Sequence, residues 1–366
     1  MIQEDIKDLP TILHLLDTIS KEEENLRSDP KWGPFLSDLG VEDKFELFPE
    51  TPNGPCVLKP TSSSFNSYFR GQNEYYDNCC PTIYRNKDKK SKIDRFICRL
   101  RSTEFELLLR THPFVKKVFD EGLLLNHPGG EELVSLKVDY LGLAQHYGFD
   151  TDIMDFTGSK WVAAFFAVSK QVNGRYEPVN SNGYGVFYRY SEPPETFMFE
   201  NGIIKTEKKF SVIGLQPFKR PGEQKGYSLK MTEDENLNSL SSIQKFFFRH
   251  DSMASKIILN RMNKGKSLFP YDELEVLSRK IKQSNKLSIQ AFNLAIEKYP
   301  VENFNKEMLK QACYDRNIKI VNFPVVKFDK HLERNFIRYW RVRGEKDFLS
   351  KIVVRLTDHQ SYPLFV

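Results

Sequence analysis

"NSYFRGQNEYYDNCCPTIYR", residues 66–85, sets an arginine and a glycine between two aromatic runs. Tyr68 and Phe69 read as the end of a buried strand, because aromatic side chains suit a pleated, half-buried surface. Gly71 permits close backbone approach at that point, where a side chain would obstruct. The Arg70 guanidinium then has two readings. It projects into a cleft and holds an anion, whose oxygens its planar fork matches in pairs. Otherwise it is the buried partner of a carboxylate, with Asp155 the candidate.

Upstream, "TPNGPCVLKPTSSS" (51–64) is rich in Pro, Gly and Ser and reads as a connector. Before it, Ile12, Leu15 and Leu16 have helical spacing, and "SKEEENLRSD" extends the helix with a solvated acidic face. Downstream, "RNKDKKSKIDRFICRLRSTEFELLLRTHP" reads as a helix with a solvated basic face. "EELVSLKVDYLGLAQHYGFD" has apolar residues at 133, 136, 140, 141 and 143, a helical pattern that should stop at Gly148. "WVAAFFAV" (161–168) is a buried helix, and "GYGVFYRYS" (183–191) and "FSVIGLQPF" (210–218) are strands. "PYDELE" starts another helix with acids in its first turn, and helix and short-strand signals alternate beyond about residue 282.

The chain of 366 residues is 40% hydrophobic and 28% charged, which fits a folded globular protein. Its 29 Phe and 16 Tyr imply an aromatic-rich core. A net charge of +5 suits a phosphate-bearing ligand or a weak nucleic-acid contact. The five cysteines, Cys56, Cys79, Cys80, Cys98 and Cys313, are odd in number and show no CxxC spacing. Neither a disulfide framework nor a structural zinc is expected, and reduced thiols point to the cytoplasm. Acids near the start exclude a signal peptide, and no apolar run reaches the roughly 18 residues of a membrane span. Together these signals predict an α+β fold with a single mixed or antiparallel sheet core and helical additions at both ends. The expected divisions are a helical extension over 1–55, a core over 56–282 and an α/β extension over 283–366.

Two blocks carry a family resemblance: Phe69-Arg70-Gly71 with Gln72, followed by "PTIYR" with Pro81 and Arg85, and then Gln145-His146-Tyr147-Gly148 with Asp155, Thr157 and "AAFFAV". In that order they resemble the FRG-domain family, named for its Phe/Tyr-Arg-Gly motif, most clearly from about 62 to 170. A weaker likeness continues through Arg220, Gln224 and Gly226 and through Phe269, Pro270 and Asp272. Relatives usually carry an arginine after the threonine at 151, where this chain has Asp152.

The aromatic-Arg-Gly strand also resembles the first conserved strand of arginine-type ADP-ribosyltransferases, where the arginine holds NAD. That resemblance implies NAD as a substrate, bound by Arg70, Gly71, Gln72, Arg85, Gln145, Asp155 and Thr157. His146 and Tyr147 would stack on nicotinamide or handle a proton. Those transferases place a glutamate on a late strand, and Glu223 or Gln224 in "GEQKGYSL" stands in the comparable place, with Glu273 and Glu275 as alternatives. Each residue also has a plainer structural role. His146 suits a core histidine, Asp155 or Thr157 a cap for the apolar helix, and Asp272 a helix start.

Two functions follow. One is an NAD-using enzyme that transfers ADP-ribose or cleaves NAD, with a nucleotide-like small molecule as ligand and no metal. The other is a non-catalytic module for a phosphorylated ligand or a nucleic acid, served by the basic run 85–101 and by "FIRYWRVRGEKDF" with Arg338, Tyr339, Trp340, Arg341 and Arg343. A protein or nucleic-acid target fits either, and a membrane neither.

Overall fold

The computed structural model describes residues 6–28, 44–49, 54–61, 67–85, 90–127, 130–179, 182–191, 210–355 and 361–363. Its main sheet has six strands: β1 (Ser67–Gln72), β2 (Ile153–Thr157), β3 (Tyr184–Ser191), β4 (Phe210–Val212), β5 (Gly226–Lys230) and β6 (Ile243–Arg249). Their order is β4-β5-β2-β1-β3-β6, and every neighbouring pair is antiparallel. β1 pairs with β3 along its whole length, from Ser67–Ser191 to Gln72–Val186. With β2 it shares one pair, Phe69–Thr157, and beyond it the two strands part.

Alternation along the strands loads both faces of this sheet with apolar side chains. Tyr68, Met154, Phe156, Tyr188, Tyr190 and Tyr227 pack on one face. Phe69 and Phe187 face the helices on the other. Those helices are α1 (Ile12–Ser28), α4 (Lys160–Val168) and α6 (Ser252–Arg261). A second core joins α2 (Lys92–Arg110), α3 (Tyr140–His146), α7 (Glu273–Gln283), α8 (Ile289–Lys298) and α9 (Lys306–Asp315) around Phe96, Leu100, Phe105, Phe149 and Phe292. The short α5 (Lys219–Glu223) leads into β5.

α4 lies directly on β1. A Cβ on Gly71 would come 2.0 Å from the Ala163 carbonyl oxygen and 2.7 Å from Ala167 Cβ, so only glycine lets strand and helix touch. Ser159, rather than Asp155 or Thr157, caps α4 by accepting from the Val162 N–H at 3.4 Å. α1 buries Ile12, Leu15, Leu16 and Ile19 as its spacing predicts. Its acidic face is not wholly solvated, because Glu23 is buried and pairs with Lys160 at 2.6 Å.

The α+β class holds, but the sheet is not single. A four-stranded sheet joins Phe45–Pro49 and Cys56–Pro60 to Ile352–Arg355 and Ser361–Pro363, and three two-stranded ladders accompany it. The supposed connector 51–64 thus contains a strand, because "CVLKP" pairs antiparallel with "FELFP". The helix expected from residue 133 begins only at Tyr140, where Asp139 accepts from the Gly142 N–H at 2.8 Å. Before it, Gly130–Val134 pairs antiparallel with Leu123–His127, so the 133–136 spacing came from a strand followed by the bridge of Leu136 to Cys56. The strand at 210 stops at Val212 because Gly214 turns the chain at φ +60° against the Leu58 carbonyl. Among the described residues no helix is long and apolar enough to cross a membrane.

Two stability predictions follow from this packing. Gly71→Ala should cost about 3 kcal/mol in urea denaturation, since backbone must move to relieve the overlap; an unchanged midpoint would contradict the contact. His112 lies edge-on to Phe218, Phe328 and Phe336, its Nδ1 accepts from the Phe114 N–H at 3.1 Å, and burial pushes its pKa down to about 4. The unfolded chain gains that proton near pH 6.5 and the folded chain only near 4, so stability falls as pH drops through this window. His112 alone should remove about 2 kcal/mol between pH 6.5 and 5. His112→Asn, which keeps an acceptor for Phe114, should flatten that share, and parallel pH profiles for the two proteins would refute it.

Candidate functional site

Where β1 and β2 part beside α4, a cleft of about 320 Å³ opens. Arg70, Gly71, Gln72, Arg85, His146, Asp155, Thr157 and Gln224 all line it, from five separated stretches of chain. The Arg70 Nη1 donates to the main-chain carbonyl of Asp155 at 2.7 Å, while its Nε is buried without a partner. The Arg70–Asp155 ion pair, one of the two readings of Arg70, is therefore replaced by a bond to backbone, and among the described residues no carboxylate lies within ion-pair distance of either Arg70 or Arg85. Arg85 follows the turn Thr82–Tyr84 and donates through Nε to the Cys80 carbonyl at 3.3 Å.

The Asp155 carboxylate is held from behind. Its Oδ2 accepts from Gln145 Nε2 at 3.1 Å, and the Gln145 carbonyl accepts in turn from the Thr151 hydroxyl. Its Oδ1 is buried with no partner. Gln145 thus acts behind the cleft wall rather than on it. Thr157 is also a framework residue: its hydroxyl donates to the Gln224 carbonyl at 2.7 Å and accepts from the Ser159 N–H at 3.0 Å.

His146 ends α3 with Nε2 shut from solvent and without a hydrogen-bond partner. A Cβ on Gly226 would come 2.9 Å from that nitrogen, so the glycine makes room for the ring. Burial pulls the His146 pKa down and Arg220 reinforces this, against the opposing pull of Asp155. The imidazole is therefore neutral at pH 7.

Tyr147 points the other way, into the helical core. Its hydroxyl donates to Asp272, which also caps α7 by accepting from the Glu275 N–H at 3.2 Å. Burial, with Asp272 adding to it, raises the Tyr147 pKa well above the usual phenol range, so it stays protonated. Arg220 stacks over the Tyr147 ring at 4.8 Å, donates to the His146 carbonyl at 3.2 Å and pairs with Glu275 at 3.0 Å. The "RPGEQKG" and "LFPYDEL" segments therefore converge behind the "QHYG" turn as its support.

The late acids are elsewhere. Glu223 pairs with Lys351 at 3.3 Å, Glu275 with Arg220 and Arg279, and neither they nor Glu273 line the cleft. Gln224 does line it, with its amide donating to the Leu268 carbonyl at 2.9 Å. Asp155 is the one carboxylate among the lining residues. Sequence reading missed Asn73, Tyr76 and Phe166, which line the wall with the apolar Phe69, Phe156, Val162 and Ala163. Tyr76 sat in the opening aromatic run, but nothing in "WVAAFFAV" distinguishes Phe166 from its buried neighbours.

Sheet, helix and cleft define an α+β domain with a polar pocket at a strand end. Residues 65–175 match the FRG domain, so the chain carries one there. Neither the curated proteins nor the solved structures gave a match.

A double-mutant cycle tests the support behind the turn. Asp272→Ala should cost roughly 2–3 kcal/mol, combining a lost cap with an unpaired buried hydroxyl. In a Tyr147→Phe background the same change should cost only about 1 kcal/mol. Equal costs in both backgrounds would show that the Tyr147–Asp272 bond contributes nothing.

Proposed function

We propose that the cleft binds a nucleotide-like anion, NAD in the first instance, with Arg70 and Arg85 on its phosphates. One observation carries this reading: two guanidinium groups without carboxylate partners among the described residues share a cleft with a single carboxylate and a neutral imidazole. Guanidinium forks suit phosphate oxygens, and the carboxylate suits the donors of a sugar or base. At about 320 Å³ the cleft stands at the small end of ligand sites, the size of one nucleotide half rather than a whole dinucleotide.

Cleavage of NAD or transfer of its ADP-ribose is the reaction that fits. As nicotinamide leaves, positive charge develops on the ribose, and a negative group in a water-poor site stabilises it. A glutamate in that role is not supported by Glu223, Glu273 or Glu275, which lie outside the cleft. The neutral His146 offers a hydrogen bond or a proton acceptor at the wall.

The nucleic-acid alternative has less behind it. In the basic helix Arg95 pairs with Glu233, Lys92 with Glu302, and Arg99 lies over Tyr299. In the C-terminal segment Trp340 is buried and the exposed Tyr339 donates to Asp347 and carries Arg343 over its ring at 5.5 Å, which leaves one partly covered ring of this pair for stacking bases.

Calorimetry with millimolar NAD and ADP tests the proposal. Wild type should release heat with both, and Arg70→Ala should bind roughly 10–100-fold more weakly, the worth of a hydrogen-bonded charge. No heat from wild type with either ligand would sink the reading. Salt-dependent binding of single-stranded DNA in its place would transfer it to the nucleic-acid alternative.

A further inference from the structure

Asp155 is built differently from a structural carboxylate. Buried structural acids in this chain have both oxygens bonded or a cation on one: Glu104 accepts from the Ser288 N–H at 2.7 Å and the Val325 N–H at 3.1 Å, and Glu23, whose Oε1 is unpaired, holds the Lys160 ammonium at 2.6 Å through Oε2. Asp155 has one oxygen fixed by Gln145, which Thr151 fixes in turn, and the other buried and unpaired at the cleft. Leaving a carboxylate oxygen buried and unbonded costs free energy, so the arrangement is stable in use only if a donor arrives there. Among the described residues no cation pairs with that oxygen. Arg70 spends its Nη1 on the Asp155 main chain and keeps its own Nε unpaired.

Beside the unpaired His146 Nε2, two of the orphaned groups at the cleft ask for complementary atoms: an acceptor for Arg70 Nε and a donor for Asp155 Oδ1. They lie close together, because Arg70 bonds the backbone of Asp155 itself at 2.7 Å. A ligand must then carry a donor near its anionic group. In a nucleotide the sugar hydroxyls stand nearer the phosphates than the amino groups of the base do.

We propose that Asp155 is the specificity-determining residue of the cleft, its Oδ1 accepting from a sugar hydroxyl of the bound nucleotide. Gln145 is the positioning residue that holds it. This rests on the nucleotide reading above and adds which part of the nucleotide is selected. A site made to bond a hydroxyl rejects the analogue that lacks it, because its own buried oxygen is again left without a partner.

Calorimetry on the full chain with ADP and with 2′,3′-dideoxy-ADP tests this. Wild type should prefer ADP at least tenfold. Asp155→Ala, with Asp155→Asn as the variant that keeps the shape, should lose the preference. Both should bind dideoxy-ADP at least as tightly as wild type, since a negative charge beside the phosphates is gone. A merely structural Asp155 would instead weaken both ligands alike. Gln145→Met should narrow the preference several-fold and leave dideoxy-ADP binding unchanged. Equal wild-type affinity for the two diphosphates overturns the role of Asp155 and spares the nucleotide reading. Binding of neither overturns both.

Discussion

The contact of Gly71 with the Ala163 carbonyl is the constraint on which the site depends. It lets β1 lie against α4 at backbone distance, where any side chain would overlap by more than 1 Å of ordinary contact. That approach fixes where Arg70 and Gln72 emerge on either side of the glycine. It also fixes where α4 starts, and so the turn Thr157–Ser159 that closes the cleft floor. Arg70 then reaches the Asp155 carbonyl across the gap between strands that share a single pair.

Behind the cleft a second network holds the "QHYG" turn. Successive residues at the end of α3 point in different directions, so one motif performs three tasks. Gln145 positions Asp155, His146 reaches the cleft, and Tyr147 is anchored to Asp272 under the Arg220 guanidinium. Gly148, at φ +74°, ends the helix, and Lys282 donates to the freed Tyr147 carbonyl at 2.7 Å. The buried charge of Arg220 is tolerable because Glu275, a main-chain carbonyl and two aromatic rings surround it. Placing His146 against Gly226 keeps the ring dry, and burial with the Arg220 charge beside it keeps it neutral.

Charge is divided in an instructive way. The long basic helix reads as a solvated face that could serve a nucleic acid, yet Arg95, Arg99, Arg101 and Arg110 are taken up by Glu233, Tyr299, the Ser284 carbonyl and Glu106. Of the two cleft arginines, neither of which has a carboxylate partner among the described residues, Arg70 lies in a stretch of little charge and Arg85 only opens the basic run. Charge density along the chain therefore misleads about where a guanidinium is available, because availability depends on what folding brings beside it.

The sequence by itself determined the local pieces: the aromatic strand before Arg70, the apolar helix at 161–168, the stop at Gly148 and the Asp272 cap. Each rests on neighbours within a few residues, through propensity, capping and left-handed turns. It also brought Arg70, His146, Asp155 and Gln224 forward as one set, because their motifs were distinctive. The tertiary structure alone decided what each one does. It sent Tyr147 into the core, moved Glu223 to a surface pair with Lys351, and turned the Arg70–Asp155 ion pair into a bond to backbone. It likewise replaced a single sheet by several, since the strand at 45–49 finds its partner at 352–355. Partners hundreds of residues apart leave no periodic trace in the chain, so their pairing is settled only by packing.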